Sequence, residues 1–235
     1  LAASVAQRSL ASSQDNYAQQ AERLATGLRI NKSSDDAAGM AVSERLKNQV
    51  RGLNQAQRNA QDGISMIQTA EGAMSEAHNI LARMRELAVQ ASNDTITNND
   101  RSNLLTEFTS LYAEIDRIAS STQFNGVAIL TGGSTAVKLQ IGANKDTNYD
   151  NTIVLNITPA PAGGFQPTRL EATMSAMGVT SQSLANQALS ILDNAINAVS
   201  TARTSVGSMQ SRLESASRSI AVASENAAAA NSRIA

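Results

Sequence analysis

The chain has 235 residues with 19 basic and 20 acidic side chains, a net charge of −1, and none of the basic excess that marks a nucleic-acid surface. It contains no cysteine, which removes disulfides, thiolate chemistry and cysteine metal sites, and no run approaches the roughly 18 apolar residues of a membrane span. Aromatic residues make up only 3% and alanine is abundant, a composition that favours close helix–helix contact over a thick core.

Residues 1 to about 25 are predicted to form a first helix, with Ala3, Leu10, Tyr17 and Leu24 spaced by sevens. No charged-then-apolar leader precedes it, and position 1 is Leu. The segment Thr26-Gly27-Leu28-Arg29-Ile30-Asn31-Lys32-Ser33-Ser34 breaks the pattern. Ser34-Asp35-Asp36 then predicts a helix start, with Ser34 as N-cap and two carboxylates on the positive end of the helix dipole. This second helix is expected to run to about Ser92. Its later part carries Met66, Ala70, Ala73, Ala77, Ile80, Met84, Leu87 and Ala91 in alternating steps of three and four. Beside them lies a second stripe of Ile64, Ile67, Met74, Leu81 and Ala88. Two adjacent apolar stripes predict burial against at least two partners. Gly39, Gly52, Gly63 and Gly72 fall inside the same helix, each costing about 1 kcal/mol relative to alanine. Either they occupy exposed positions that tolerate them or they mark close approach of neighbouring backbones. The sequence leaves both open.

Asn93 to Asp100 is polar and rich in capping residues, which predicts a turn. A third helix is expected from about Asp100 to Ser120, with Leu104, Leu105, Phe108, Leu111, Tyr112, Ile115 and Ile118 on one face. The texture then changes. Asn125-Gly126 is a strong turn pair, Val127 to Leu130 suits a short strand, and Val137 to Ile141 and Ile153 to Ile157 alternate at period two. Pro159, Pro161 and Pro167 fall beside Gly163-Gly164 and mark a linker.

A long C-terminal helix follows, entered through Thr180-Ser181. Leu192, Val199, Val206, Leu213, Ile220, Ala227 and Ile234 recur every seventh residue, accompanied by Ala188, Ala195, Ala202, Met209, Ala216, Ala223 and Ala230. An apolar pair every seven residues keeps one stripe of a helix against a partner helix. Positions 185 to 235 would form a helix roughly 75 Å long. The heptad is still in phase at the last residue, so helices continuing past both ends are expected. The predicted fold is mainly α with a small β region: an elongated antiparallel helical bundle or coiled-coil rod plus β-hairpins. The two chain ends are expected to lie together, because each has a stripe that needs cover. Its divisions would be a terminal helix and connector (1–34), the N-terminal part of the helical core (35–125), a β-hairpin region with the Pro/Gly linker (126–168) and the long C-terminal helix (169–235).

Nothing in the sequence supports catalysis, a metal site or a cofactor. His78 is the lone histidine, so neither a His–His metal pair nor a Ser–His–Asp arrangement can form, and a packing role is expected. Asp35-Asp36 could be read as paired acid/base carboxylates, but capping is the simpler account. Thr131-Gly132-Gly133-Ser134 lacks the lysine and helix of a phosphate loop. Asn93-Asp94-Thr95 and Asn156-Ile157-Thr158 match the glycosylation tripeptide, a pattern short enough to arise often by chance.

Several segments together resemble bacterial flagellin. They are Glu22-Arg23-Leu24-Ala25-Thr26-Gly27-Leu28-Arg29-Ile30-Asn31, Asp35-Asp36-Ala37-Ala38-Gly39, and the run from Gly52-Leu53-Asn54-Gln55 through Asn59-Ala60-Gln61-Asp62-Gly63-Ile64-Ser65. Arg85-Glu86-Leu87-Ala88-Val89-Gln90, Glu114-Ile115-Asp116-Arg117, Gln123-Phe124-Asn125-Gly126, Gly207-Ser208-Met209-Gln210-Ser211-Arg212-Leu213 and Asn231-Ser232-Arg233-Ile234 continue the match in order. The resemblance implies a filament subunit whose terminal helices pair and stack into concentric layers of a helical tube turned by a rotary motor. It implies export, unfolded and without a cleaved signal, through the flagellar secretion channel, and polymerisation outside the cell. The implied partners are other copies of the chain, a flagellar export chaperone and secretion apparatus, and hook-associated and cap proteins, with no nucleic acid and no membrane insertion. Unfinished apolar seams agree, since sticky surfaces repeated head to tail without closure give an open filament. The family's large outer domains are missing here, so the chain would be nearly a bare core. The outermost terminal segments are missing too, and the chain as given is expected not to polymerise.

The stretch Leu81 to Gln90 also resembles the region that vertebrate Toll-like receptor 5 recognises, with Arg83, Leu87 and Glu107 matching receptor-contact positions. Ala82 replaces a polar residue common there, and Leu111 stands where an arginine is usual. The competing expectation is that Leu87 packs in the rod while Arg83 and Glu107 meet neighbouring subunits. Among other protein classes, a chemoreceptor hairpin is disfavoured by the β region, and an enzyme-bearing flagellin by the single histidine. A hook–filament junction protein or a surface adhesin remains the alternative.

Overall fold

The structure, a computed structural model, describes residues 2–130, 137–144, 151–155, 179 and 181–234. Its described elements are α1 (Ala2–Thr26), α2 (Ala37–Ala91), α3 (Asn98–Ser121), β1 (Gln123–Phe124), β2 (Val127–Ala128), β3 (Val137–Gln140), β4 (Thr152–Leu155) and α4 (Gln182–Ile234). The fold is thus mainly α with two small antiparallel hairpins, as the periodicities predict. The prolines with Gly163-Gly164, the Thr131–Ser134 segment, the Asn156–Thr158 tripeptide and Thr180 lie outside the described residues. The chain divides into two compact units, one of residues 1–58, 141–151 and 217–235, the other of 59–140 and 152–216.

In the first unit α2 and α4 run antiparallel. The Ser43 hydroxyl donates to Asn231 Oδ1 at 2.7 Å and the Ser224 hydroxyl to Asn54 Oδ1 at 2.9 Å, so the number rises along one helix as it falls along the other. Beside the second of these polar rungs Leu53, Ala56 and Ile220 form a buried cluster that Ile141 and Ala143 cover. Gly52 makes that cover possible: a Cβ there would sit 2.8 Å from Ala143 Cβ and 3.2 Å from its Cα.

The connector between α1 and α2 is built on two adjacent carboxylates with separate roles. α2 starts at Ala37, and Asp36, not Ser34, is its cap: Asp36 Oδ1 accepts the Gly39 amide at 2.9 Å and its carbonyl accepts the Met40 amide at 2.9 Å. Asp35 turns back instead. It accepts the amides of Asn31 (3.1 Å) and Lys32 (3.0 Å) and the Gln19 side chain of α1 (2.7 Å). The helix therefore starts two residues later than a Ser34 cap would place it, and the turn before it buries Ile30.

In the second unit both stripes of α2 are covered, with Ile67, Met74, Leu81, Met84, Leu87 and Ala88 all buried. Phe108 and Ile115 of α3 and Val199, Val206 and Leu213 of α4 complete a close-packed interior. α4 again opposes α2 antiparallel, through Arg85 Nε to Asp193 Oδ1 at 2.7 Å and through Gly63, beside which Leu213 and Leu139 pack. β3 and β4 pair from Val137↔Leu155 to Gln140↔Thr152, and the Gln140 carbonyl accepts the Asn59 side chain at 2.9 Å. β1 and β2 are shorter than the run of apolar residues suggests. Asn125 (φ 50°) and Gly126 (φ 77°) both take the left-handed conformation of a two-residue hairpin turn, and pairing stops at Gln123↔Ala128.

Two expectations change. The α4 heptad row is buried from Leu192 to Ala227, but its companion row is not uniformly covered: Ala188 and Ala202 are buried while Ala223 is exposed. Ala223 lies in the first unit, where the buried line of α4 runs through Ile220 and Ala227. The stripe on α1, expected to be covered by the other end of the chain, is also open: Leu10, Tyr17 and Leu24 are 61%, 79% and 86% exposed.

Candidate interaction surface

Among the described residues no group of three or more His, Cys, Asp or Glu side chains could hold a metal ion. No described helix is long and apolar enough to cross a membrane. The enclosed cavity between Met74, Ala77, Ile115, Ala119, Leu130 and Val199 measures about 10 Å³, the room of a single water, and is lined almost wholly by apolar atoms. His78 is half-buried with Nδ1 unpartnered, and no second metal-binding or catalytic side chain is described beside it.

One polar patch joins α2 to α3. Arg83 bonds Glu107 Oε1 through Nη2 at 2.8 Å and Nε at 2.9 Å, and Glu86 Oε2 through Nη1 at 3.0 Å. The hydrogen bonds to Glu107, then Glu86, hold the guanidinium further in its charged form. These side chains stay half-open to solvent, 51% for Arg83 and 45% for Glu107, so the pair adds little to stability and much to surface shape. Leu87 is elsewhere: one turn from Arg83 on the same helix, it is 1% exposed. The structure brings Arg83 and Glu107 together and sets Leu87 beneath the surface, because position 87 continues the apolar stripe of Met84 and Ala91. Ala82 is exposed and Leu111 half-buried.

Two features near this patch escape a periodicity reading. Arg101 is buried and ties down the turn between α2 and α3, donating to the Ala91 carbonyl, the Asn93 carbonyl and Asn98 Oδ1, each at 2.9 Å. Its signal was available: Arg101, Phe108 and Ile115 are spaced by sevens, which puts a cation on an apolar stripe. Thr97 and Asp100 form a reciprocal capping box, with Asp100 N to Thr97 Oγ1 at 3.3 Å and Thr97 N to Asp100 Oδ2 at 3.0 Å, so α3 begins two residues before Asp100.

A groove of about 330 Å³ runs beside α2 and α3 farther along, lined by Gly72, Ala73, Glu76 and Ile80 on one side and Glu114, Arg117 and Ile118 on the other. Arg117 is held by Glu114 through Nη2 to Oε1 at 2.6 Å and Nε to Oε2 at 2.8 Å, which lowers the Glu114 carboxyl below its ordinary range.

Residues 1–135 match the bacterial flagellin N-terminal helical region, and residues 189–235 the bacterial flagellin C-terminal helical region. The flagellin of Halalkalibacterium halodurans is 43% identical over 213 residues, covering 91% of this chain and 75% of that protein. Flagellin FlaB2 of Treponema pallidum is 41% identical over 244 residues, covering all of this chain and 84% of its own length. Among solved structures, Bacillus cereus flagellin superposes with a TM-score of 0.55 at 28% identity, over 69% of this chain and 88% of that one. A putative flagellar hook-associated protein from Vibrio parahaemolyticus gives 0.70 at 16% identity, over 85% and 99%, a likeness of fold alone.

Proposed function

The chain belongs to the bacterial flagellin family, structural proteins of the flagellar filament and not enzymes, and from that premise we propose that its copies self-assemble into a helical tube for motility. The observation that carries this reading is the open stripe of α1. Leu10, Tyr17 and Leu24 recur every seven residues on a folded helix and meet water in the single chain, a large apolar cost unless another helix covers them. A head-to-tail contact of this kind extends without closing. The reading places the filament outside the cell. Its partners are then the other copies, an export chaperone with the flagellar secretion apparatus, and the hook-associated and cap proteins. Electron microscopy of the full-length protein, with the terminal segments restored, under polymerising salt is expected to show filaments, and Leu10→Asp with Tyr17→Asp to abolish them without unfolding α2 or α4. Absence of filaments from the unaltered full-length protein would put a junction or adhesin role ahead.

The second part of the proposal is recognition by vertebrate Toll-like receptor 5. It is supported by the joined, half-exposed Arg83 and Glu107, offered as contact residues, with Leu87 acting from below by packing and so by fixing the helix that displays them. Arg83→Ala and Glu107→Ala are expected to lower receptor signalling at least about tenfold with no loss of folding. Unchanged signalling from both would remove the receptor reading and leave the filament reading in place.

A further inference from the structure

Asn125-Gly126 is the lone Asn-Gly pair of the chain, and both residues are exposed. Glycine has no Cβ, so its amide nitrogen is the least hindered that can follow an asparagine. A Cβ on Gly126 would meet nothing within 4 Å, and the Asn125 carboxamide has no hydrogen bond among the described residues. The other described asparagines differ. Most lie in helices, which hold the backbone in one conformation. Outside them, Asn31, Asn93 and Asn151 each use the side chain in a hydrogen bond, and Lys32, Asp94 and Thr152 follow them. Asn144 precedes Lys145.

We propose that Asn125 is a site of spontaneous deamidation, gated by opening of the β1–β2 hairpin. The Gly126 nitrogen attacks Asn125 Cγ and closes a five-membered succinimide. Its proton passes to the departing nitrogen, which leaves as ammonia. Water then opens the ring at either carbonyl, giving aspartate or isoaspartate, and nothing is oxidised or reduced. The folded turn opposes ring closure. The ring needs Cβ and the Gly126 nitrogen on the same side of the Cα–C bond of Asn125, whereas a left-handed residue, with ψ near about 47°, holds them nearly opposite. Asn125 must therefore leave the left-handed conformation, and the turn must open with it. The opening is small, because only Gln123↔Ala128 and Phe124↔Val127 are paired.

The two products act differently on the fold. Aspartate keeps the turn, since Asp-Gly suits the same two-residue hairpin. Isoaspartate routes the backbone through the side chain and lengthens it by one carbon, so the turn no longer matches the Phe124↔Val127 pair. Just beyond, Ile129 donates its amide to the Thr122 carbonyl at 3.2 Å, and Ile129 and Leu130 are buried. Isoaspartate at 125 thus loosens the segment that covers the end of α3.

The proposal is independent of the assembly reading, and its test uses the folded chain incubated at mildly alkaline pH. Peptide mapping by mass spectrometry is expected to find NH exchanged for O at position 125 before any other described asparagine, with isoaspartate scored by an isoaspartyl methyltransferase. In urea sufficient to unfold the chain, the rate at 125 is expected to rise about tenfold or more. The isoaspartate fraction should melt below Asn125→Asp, which should melt with the unaltered chain. Conversion of another described asparagine first would overturn the site, and equal rates in the folded and unfolded chain would overturn the gate. An isoaspartate fraction that melts with Asn125→Asp would overturn the effect on the fold.

Discussion

Asp35 accepts three hydrogen bonds while its neighbour Asp36 caps a helix, so a pair that looks like acid–base chemistry is two pieces of backbone engineering. The Lys32 amide first, then the Gln19 side chain and the Asn31 amide, hold the Asp35 carboxyl below its ordinary range. A carboxyl with a depressed folded value stabilises fully above its unfolded value of about 3.9, and that contribution is lost as pH falls through the lower folded one. The joint between α1 and α2 should therefore hold at neutral pH and loosen below about pH 4. Asp35→Asn, which cannot accept all three bonds on oxygen, is expected to loosen it at neutral pH and to flatten its acid dependence. Amide resonances of Asn31 and Lys32 followed from pH 7 downward would report this. Identical titrations in the variant and the unaltered chain would show that another group controls the joint.

At the scale of elements, long apolar rows were legible because a stripe repeated over many turns admits one periodicity. Most of the two stripes of α2 and the whole Leu192–Ala227 row of α4 are buried as their spacing requires, while Ile64, Ala73 and Ile80 stay half-buried. What spacing did not give is which rows find partners. Ala223 keeps perfect phase and is exposed, and Leu10, Tyr17 and Leu24 keep it and face water, since phase describes one helix and cover depends on another. Boundaries were less legible for a different reason. Ser34 and Asp36 are both good caps two residues apart, so residue type does not rank them, and the structure puts the cap at Asp36. The Arg83–Glu107 pair joins residues 24 apart on different helices, so their contact depends on where the α2–α3 turn ends, which buried Arg101 decides. Val206 tests the core of α4. It is wholly buried, and Val206→Asp would leave a carboxylate in an apolar interior, so the melting temperature is expected to fall by at least several degrees. An unchanged thermal transition would mean that the row faces solvent.

At the scale of the molecule, α1 stands apart energetically. From Ala3 to Ala18 every residue is exposed, and the bonds that anchor the helix gather at its end, from Gln19 and Glu22 to Asp35, Asn31 and Lys32. A helix of 25 residues with no packed face has little beyond its own backbone hydrogen bonds to hold it in water, where most helical stability comes from tertiary packing. The residues of α2 from Ala60 to Ala91, with both stripes covered, open only with the unit that contains them. Hydrogen exchange of the single chain should therefore be fast along α1 and slow along the later part of α2. In filaments the contrast should shrink, with protection rising most around Leu10 and Tyr17, because a covered stripe makes each opening break contacts as well as hydrogen bonds. Exchange in α1 as slow as in α2 before assembly would mean that the helix already has a partner. Exchange that stays fast after assembly would mean that its stripe is not where the copies meet.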